Sequence, residues 1–346
     1  MDDTKPGRAT RHLLCPRPYP TLLSLVVPIY NEERVLPFLR SEIARFQADV
    51  KCLTEVVLVN DGSSDGTLDH LVEWASSDPT VKVLHLSRNF GHQIAATAGL
   101  DHAAGDAVVL LDADLQDPVM VIHQMIDRYC EGYDVVLGER ESRAGESVFK
   151  KFTAWAFYRI MRALVYERLN VDAGDFRLIS RQCLLGLNEM RETHRFLRGM
   201  VAWVGYPQTG VKYHRKPRVA GSTKYSVRKM LAFAWTAATS FSAVPLRISM
   251  IFGIVIGLFA LEEGVRALVG HILGNTVSGW TSLMVVTALI GSAMLISIGL
   301  VGEYVAKLYE EAKGRPLYLV ARTFKSSAPA GATNPEKTAA ATPVRR

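Results

Sequence analysis

The chain has 346 residues, a formal net charge of +6 and four cysteines. This length suits two domains, or one large domain with an appendage. The cysteines lie apart from one another and have no histidines at zinc spacing, which argues against a zinc site and predicts reduced thiols facing the cytosol.

Basic residues are concentrated in two parts of the chain. Residues 191–229 hold ten Lys and Arg side chains against one acid, and residues 140–170 hold seven against three. Such stretches predict an anionic partner, and nucleic acid, anionic lipid head groups and phosphate substrates all fit that description. A solvated basic face is the simpler alternative.

Both ends of the chain are polar. Residues 1–20 are dotted with proline and lack the apolar core of a signal peptide, so we expect a disordered N-terminus and a first folded part that stays in the cytosol. Residues 325–346 are rich in Ala, Ser, Thr and Pro and are predicted to be a disordered tail.

After the N-terminus, short apolar runs alternate with helical segments, which predicts a mainly parallel α/β sheet. The predicted strands are Leu23–Ile29, Val56–Val59, Val81–Leu86 and Val108–Leu111, with helices continuing to about Phe46, Ala75 and Ala104 after the first three. Polar turns follow the strand ends, where open α/β sheets build ligand sites. These turns lack G-x-G-x-x-G and a Walker lysine, which disfavours dinucleotide redox enzymes and P-loop hydrolases.

The fourth strand ends in an acidic turn. Asp112 and Asp114 are one residue apart, and Gln116 follows. Hard cations such as Mg²⁺ and Mn²⁺ prefer oxygen ligands and often bind together with substrate phosphates, so the turn predicts a metal site for a nucleotide diphosphate. An acidic turn after a buried strand, with no metal, is the alternative for such a short motif.

The C-terminal third predicts a membrane hairpin. Residues 272–302 contain no charge, and a span is predicted at about 281–302. A second span at about 244–269 contains Glu262, Glu263 and Arg266, which must lie near the far interface or pair there. Basic residues flank both outer ends, which places those ends in the cytoplasm and makes 304–324 a cytosolic juxtamembrane segment.

Two further segments mix apolar residues with residues suited to a membrane surface. Residues 229–246 are predicted to form an interfacial helix rather than a span, because they are rich in Ala, Thr and Ser. Residues 149–169 combine aromatic and basic side chains, and a helix on an anionic membrane or a core-facing amphipathic helix fits them equally well.

Four motifs in order resemble those of the GT-A glycosyltransferases of family 2, and in particular the polyisoprenyl-phosphate branch. That branch includes dolichol-phosphate mannose synthase and the bactoprenol glucosyltransferases with two C-terminal membrane helices. The motifs are Pro28-Ile-Tyr-Asn-Glu32, Asn60-Asp-Gly-Ser63, Asp112-Ala-Asp-Leu-Gln-Asp-Pro118 and Gly174-Asp-Phe-Arg-Leu178. Trp280-Thr-Ser and the stretch from Gly302 to Tyr318 extend the likeness, which covers about residues 22–320. It implies a cytosolic GT-A catalytic domain at 21–228.

The resemblance implies a role for particular residues on the donor side. Pro28, Tyr30, Glu32 and Asp61 match positions that hold the base and ribose of a nucleotide sugar, although Asp61 also suits a plain turn. Asp112, Asp114 and Gln116 match the metal and diphosphate site. The loop around Lys224, with Arg218, resembles a basic lid that neutralises the leaving diphosphate.

On the acceptor side, the resemblance points to Arg140 and Arg143, with Ser147 as a third contact for a lipid phosphate. The guanidinium fork of arginine can hold two phosphate oxygens. Asp175, with Asp114, matches the acids nearest the reacting centre, and we expect Asp175 to position the metal or acceptor rather than to remove a proton. Capping, or pairing with Arg177, is the alternative for Asp175.

The implied reaction is inverting transfer of a hexose from a nucleotide diphosphate sugar to polyprenyl phosphate, for envelope glycan modification. UDP-glucose is the first expectation for the donor; GDP-mannose and UDP-N-acetylhexosamines stay open. The implied partners are Mg²⁺ or Mn²⁺, the lipid, the membrane and further copies of the chain in a tetramer, and not nucleic acid. A processive polysaccharide synthase is disfavoured because no Gln-x-x-Arg-Trp element is present, and a non-catalytic nucleotide-sugar sensor is disfavoured because the carboxylates are retained.

Overall fold

The computed structural model of the chain describes residues 14–140, 173–214, 244–273 and 280–326. The strands are β1 (Leu22–Ile29), β2 (Leu53–Asn60), β3 (Val81–Leu86), β4 (Ala107–Leu110), β5 (Val135–Arg140), β6 (Ala173–Ser180), β7 (Gln208–Tyr213) and β8 (Val320–Lys325). The helices are α1 (Leu36–Asp49), α2 (Thr67–Ser77), α3 (His92–His102), α4 (Ile122–Cys130), α5 (Arg181–Glu189), α6 (Leu197–Val204), α7 (Val244–Ile272) and α8 (Trp280–Ala312). The four predicted strands and the helices between them are confirmed, with boundaries shifted by at most three residues.

The strands form one mixed sheet in the order β7-β5-β6-β4-β1-β2-β3-β8. Strands β4, β1, β2 and β3 are parallel neighbours, whereas β6 runs antiparallel to both β4 and β5. The α/β class is therefore as predicted. The carboxyl ends of the four parallel strands lie at one edge, and β6 enters the sheet from that same edge.

Helices cover both faces of the sheet and create two apolar cores. Helices α1, α2 and α4 pack on one face through residues such as Phe46 and Trp74, and α3, α5 and α6 pack on the other through residues such as Leu184 and Met200. Because both faces of β1 are covered, its sequence is almost continuously apolar. The resulting three-layer packing holds the turns at the sheet edge in place.

The predicted juxtamembrane segment 304–324 differs from the structure. Helix α8 continues to Ala312. Val320–Lys325 forms β8, which pairs antiparallel with β3 and is the outermost strand on that side of the sheet. The Tyr318 hydroxyl donates a hydrogen bond to Asp101 Oδ2 at 2.8 Å just before this strand. The chain thus returns from its last long helix into the sheet, and Lys325, predicted as the first residue of the tail, is the last residue of β8.

Helices α7 and α8 contain the two predicted spans. Ile248–Arg266 and Leu289–Ala312 are long and apolar enough to cross a membrane, and the windows that qualify are not buried inside the protein. The Ser249 hydroxyl donates to Ser297 Oγ at 2.8 Å between the helices. Arg266 pairs with Glu262 and Glu263 at 3.0 and 3.1 Å, which is one of the two predicted arrangements of these charges. The predicted surface helix at 149–169, and all of the one at 229–246 except its last three residues, lie outside the described residues.

Candidate active site at the carboxyl ends of the strands

The turns after β1 and β2 are held together at the sheet edge. The Asn31 N–H donates to Ser63 Oγ at 3.0 Å, and the Ser64 N–H donates to Asn31 Oδ1 at 2.8 Å. Tyr30, in the same turn, is 47% exposed, whereas Pro28 is buried within β1. The predicted donor-site residues, including the partly exposed Glu32, therefore share one edge of the sheet, and their contacts with a nucleotide stay a prediction.

Asp61 is buried after β2 and fixes the turn that follows β3. Its Oδ1 accepts a hydrogen bond from the Phe90 N–H at 2.7 Å, and its Oδ2 accepts one from the Gly91 N–H at 3.0 Å. Burial raises the pKa of Asp61, and these two N–H groups oppose the rise. Gly62, with φ of +65°, has no room for a Cβ, which would lie 2.5 Å from the carbonyl carbon of Arg88. The two turns are thus packed backbone against backbone.

Strand β6 brings Asp175 opposite the acidic turn after β4. The last β4–β6 pair is Leu110 with Arg177, and the same antiparallel register continued by two residues sets Asp112 against Asp175. His92, the first residue of α3, lies between the two carboxylates. Its Nε2 is 3.4 Å from Asp112 Oδ1 and 3.5 Å from Asp175 Oδ2. Three segments that are distant in sequence therefore meet at one point.

Asp112 carries a buried oxygen that lacks a hydrogen bond. Its Oδ1 makes none with the described part of the chain. Burial raises the pKa of Asp112 to about 6, opposed by His92 and reinforced by Asp175. His92 Nε2 pairs with this oxygen at 3.4 Å without a hydrogen bond. A buried carboxylate oxygen that accepts no hydrogen bond is costly, and a divalent cation is a ligand that would satisfy it.

The rest of the acidic turn offers further oxygen ligands. Asp114 Oδ1 accepts a hydrogen bond from the Gln116 N–H at 3.2 Å, and Leu115 between them has φ of +55°, a strained value of the kind found in functional turns. Over the described ranges, no three His, Cys, Asp or Glu side chains form a metal cage. Two carboxylates and an amide instead fit a hard ion that takes its remaining ligands from phosphates and water. The residues therefore fit Mg²⁺ or Mn²⁺.

Asp175 is 7% exposed and is surrounded by hydrogen-bond donors. Arg198 contacts its two oxygens through Nε and a terminal nitrogen at 2.9 and 3.3 Å, and Arg177 lies at 3.5 Å. Gln93 donates to its Oδ2 at 3.4 Å, on the same side as His92. Burial would raise the pKa of Asp175, but His92 and the two arginines outweigh it and hold the pKa well below the usual range. Asp175 is a carboxylate at any physiological pH and is a poor proton acceptor.

His92 was not predicted as a site residue. Burial would lower its pKa, but the hydrogen bond with Asp175 and the charge of Asp112 outweigh this effect and raise it. A signal existed in the sequence, because His92 follows the end of β3 just as the other predicted site residues follow β1, β2 and β4.

Arg198 was also missed. It lies on α6, within the basic stretch 191–229, and nothing in its local sequence distinguishes it from the other arginines there. Helix α8 contacts the segment before α6, since the Thr193 N–H donates to Glu311 Oε1 at 2.7 Å and His194 Nε2 lies 2.7 Å from Glu310 Oε2. The end of a predicted membrane helix is therefore joined to the segment that presents Arg198 to the site.

Arg140 is the last residue of β5 and lies close to the edge of the sheet that carries Asp112 and Asp175. Its Nε donates to the Tyr213 hydroxyl at 3.2 Å, and a terminal nitrogen lies 3.4 Å from Asp117 Oδ2. The other predicted contacts for acceptor and diphosphate lie outside the described residues: Arg143, Ser147, Arg218 and Lys224. Their roles stay predictions.

Comparisons with known proteins agree with this architecture. Residues 24–185 match the model of "Glycosyl transferase family 2". The chain is 42% identical to the "Uncharacterized glycosyltransferase YkcC" of Bacillus subtilis over 87% of this chain and 94% of that protein. It is 38% identical to the "Prophage bactoprenol glucosyl transferase homolog" of Escherichia coli over 88% and 99%, and 37% identical to the "Bactoprenol glucosyl transferase" of Shigella phage SfII over 88% and 99%. The predicted α/β sheet followed by two long apolar helices is confirmed, and the chain belongs to glycosyl transferase family 2.

Proposed function

We propose that this glycosyltransferase transfers a hexose from a nucleotide diphosphate sugar, UDP-glucose in the first instance, to undecaprenyl phosphate or a similar polyprenyl phosphate at the cytoplasmic face of a membrane. Relatives named bactoprenol glucosyl transferases, which match over nearly their whole length, support the sugar and the acceptor. The product would be a polyprenyl-phosphate sugar for envelope glycan modification.

The observation that carries this proposal is the state of Asp175. A hydroxyl acceptor needs a general base beside the reacting centre, and such a base works best with a pKa near the operating pH. The Asp175 carboxylate has a strongly lowered pKa, accepts hydrogen bonds from Gln93 and Arg198, and pairs with His92 and Arg177 at 3.5 Å. A phosphate monoester has a second pKa of about 6 and is already largely dianionic at neutral pH. The site suits an acceptor of that kind.

The proposed step needs no proton transfer. One oxygen of the lipid phosphate attacks the anomeric carbon of the donor sugar, a new C–O bond forms on the face opposite the leaving group, and the bond to the diphosphate breaks. The electron pair of that bond leaves with the nucleoside diphosphate. The configuration at the anomeric carbon is inverted.

Repulsion between two anionic reactants is then the main obstacle. Arg140 and Arg198 place positive charge beside the acidic turn, and His92, whose pKa is raised by Asp175 and Asp112, adds to it when protonated. A bound Mg²⁺ or Mn²⁺, held by Asp112, Asp114 and Gln116, would stabilise the charge that develops on the leaving diphosphate. Arg143, Arg218 and Lys224 are proposed to contribute in the same way.

The arrangement of the two long helices supports a site facing the membrane. The Ser249–Ser297 contact sets the beginning of α7 beside the middle of α8, and the end of α8 contacts the catalytic domain through Glu311. We therefore propose an antiparallel hairpin whose two outer ends, with the catalytic domain, are on the cytoplasmic side. The acceptor phosphate would lie at the level of the head groups, within reach of the sheet edge.

The test is transfer by the purified full-length chain in proteoliposomes that contain undecaprenyl phosphate and Mn²⁺. UDP-glucose, GDP-mannose and UDP-N-acetylglucosamine, each labelled in the sugar, are supplied separately, and lipid-extractable label is counted. We expect label from UDP-glucose, and we expect Asp112→Asn to abolish it. Glu42→Gln, in an exposed surface pair with Arg45, serves as a matched carboxylate control that keeps activity.

Other outcomes of this assay separate the alternatives. Label from GDP-mannose or UDP-N-acetylglucosamine alone would correct the donor and keep the acceptor. Saturable binding of nucleotide sugars without lipid-linked label from any of them would overturn the enzymatic proposal in favour of a sensor.

A further inference from the structure

The Arg140 guanidinium lies in a pocket made by three residues from other parts of the sheet edge. Asp117 Oδ2 is 3.4 Å from a terminal nitrogen, and the Tyr213 hydroxyl accepts a hydrogen bond from Nε at 3.2 Å. The third residue, Gly174, has no side chain: a Cβ there would lie 2.6 Å from the same terminal nitrogen. We refer to Asp117, Tyr213 and Gly174 as the arginine cradle.

The cradle is rigid. Asp117 is fully buried and Tyr213 is 5% exposed. The Tyr213 hydroxyl donates to Asp117 Oδ1 at 2.5 Å, and its ring packs edge-on against Phe176 with the ring centres 5.7 Å apart. The β5–β7 register pairs Arg140 directly with Tyr213. A side chain held by strand pairing, ring packing and a buried carboxylate has little freedom to move.

Arg140 and Asp117 of the arginine cradle stabilise each other's charge. Among the described residues, the Tyr213 hydroxyl is the only other side chain that donates to the buried Asp117 carboxylate, so loss of Arg140 would leave that charge poorly stabilised. Burial would lower the pKa of Arg140, but Asp117 and Tyr213 outweigh this effect and raise it, so the guanidinium is always charged. These contacts engage two of its five N–H donors, and its side chain is 29% exposed. The arginine is held without being enclosed.

The arginine cradle adjoins both the predicted metal ligands and Asp175 in the sequence. Asp117 directly follows Gln116 in the acidic turn, and Gly174 directly precedes Asp175. The same turn therefore offers metal ligands on one side and an anchor for Arg140 on the other. Arg140 thus contacts residues that adjoin Gln116 and Asp175 in the sequence, and the charge of Asp112 also acts on its guanidinium.

We propose that Asp117 and Tyr213 are positioning residues that fix the Arg140 guanidinium beside Asp175 and thereby set the affinity of the site for the acceptor's phosphate. This inference rests on the proposed function, in which Arg140 binds that phosphate. It predicts that the cradle affects acceptor binding and leaves nucleotide binding unchanged.

The experiment compares Tyr213→Phe with Tyr129→Phe, a matched removal of a buried tyrosine hydroxyl next to Arg17 rather than Arg140. The dissociation constant for farnesyl phosphate, the KM for undecaprenyl phosphate and the dissociation constant for UDP are measured with each full-length variant in detergent. Tyr213→Phe should weaken both acceptor constants by roughly 10-fold, as expected for one hydrogen bond to a charged group, with the UDP constant unchanged. Tyr129→Phe should change none of them. Gly174→Ala, whose Cβ displaces the guanidinium, should resemble Tyr213→Phe.

A double-mutant cycle with Arg140→Ala decides whether the effect passes through the arginine. In the Arg140→Ala background, Tyr213→Phe should have no further effect on farnesyl phosphate binding. An equal effect in both backgrounds, or parallel losses in the UDP and acceptor constants, would overturn the positioning role alone. If Arg140→Ala left the acceptor constants unchanged, the assignment of Arg140 in the proposed function would fail and the inference with it.

Discussion

Replacing Asp112 by Asn should stabilise the metal-free protein at neutral pH. Burial raises the pKa of Asp112 from 3.8 to about 6. A shift of this size corresponds to about 3 kcal/mol, by which the folded state favours the protonated carboxyl. Because this carboxyl is ionised at pH 7.5 in both the folded and the unfolded chain, the same free energy opposes folding there. A neutral amide avoids that cost.

The sign of the pH dependence follows from the raised pKa. The cost is absent where the carboxyl is protonated in both states, grows as the pH rises from about 4 to about 6, and is complete above that range. The stabilisation by Asp112→Asn should therefore be about 3 kcal/mol at pH 7.5 and about 1 kcal/mol at pH 4.5. For a domain of this size, the larger value corresponds to a rise in Tm of about 6–12 °C.

The assay is thermal unfolding of the detergent-purified protein in EDTA at both pH values. Asp114→Asn is the matched control, because it removes a predicted ligand whose Oδ1 already accepts a hydrogen bond from Gln116; it should lose metal binding without the gain in Tm. Added Mn²⁺ should raise the Tm of the wild type and not that of Asp112→Asn. A lower Tm for Asp112→Asn than for the wild type at pH 7.5 in EDTA would refute the reasoning from burial.

Three further predictions follow from the same geometry. Mn²⁺ should bind about 10-fold more weakly at pH 5.0 than at pH 7.5, because Asp112 must ionise to act as a ligand; a dissociation constant from electron paramagnetic resonance that is independent of pH would contradict this. Asp175→Asn should lower turnover at least about 100-fold. It should also destabilise the fold by about 3 kcal/mol, because it leaves the buried Arg177 without its counter-charge. Near-normal turnover in the transfer assay would exclude the positioning role of Asp175. Truncation after Tyr318 should lower Tm and activity by removing β8, whereas truncation after Ser326 should leave both unchanged; equal behaviour of the two truncations would show that β8 is dispensable.

Much of the fold could be predicted because its determinants are local. Apolar runs followed by polar turns identified β1 to β4, and parallel neighbours bring their carboxyl ends to one edge. The acidic turn at Asp112 and the turn at Asp61 were found in this way. The two long apolar helices were found from length and the absence of charge.

The remaining features depend on pairing between distant segments. Asp117 and Tyr213 are 96 residues apart, and only the β5–β7 pairing brings Tyr213 to Arg140. The donors around Asp175 include Arg198 from α6, whose position depends on packing between helices. Strand β8 is a six-residue edge strand beside a polar tail, and a pattern so short does not predict where it pairs.

The central claim is that the acceptor is a phosphate already ionised, so that no group in the site has to remove a proton. The most direct test compares undecaprenyl phosphate with undecaprenol as acceptors for UDP-glucose in the same proteoliposomes with Mn²⁺. The account predicts transfer to the phosphate, with the β-anomer formed from the α-linked donor, and none to the alcohol. Comparable transfer to undecaprenol, or a product that retains the α configuration, would contradict it.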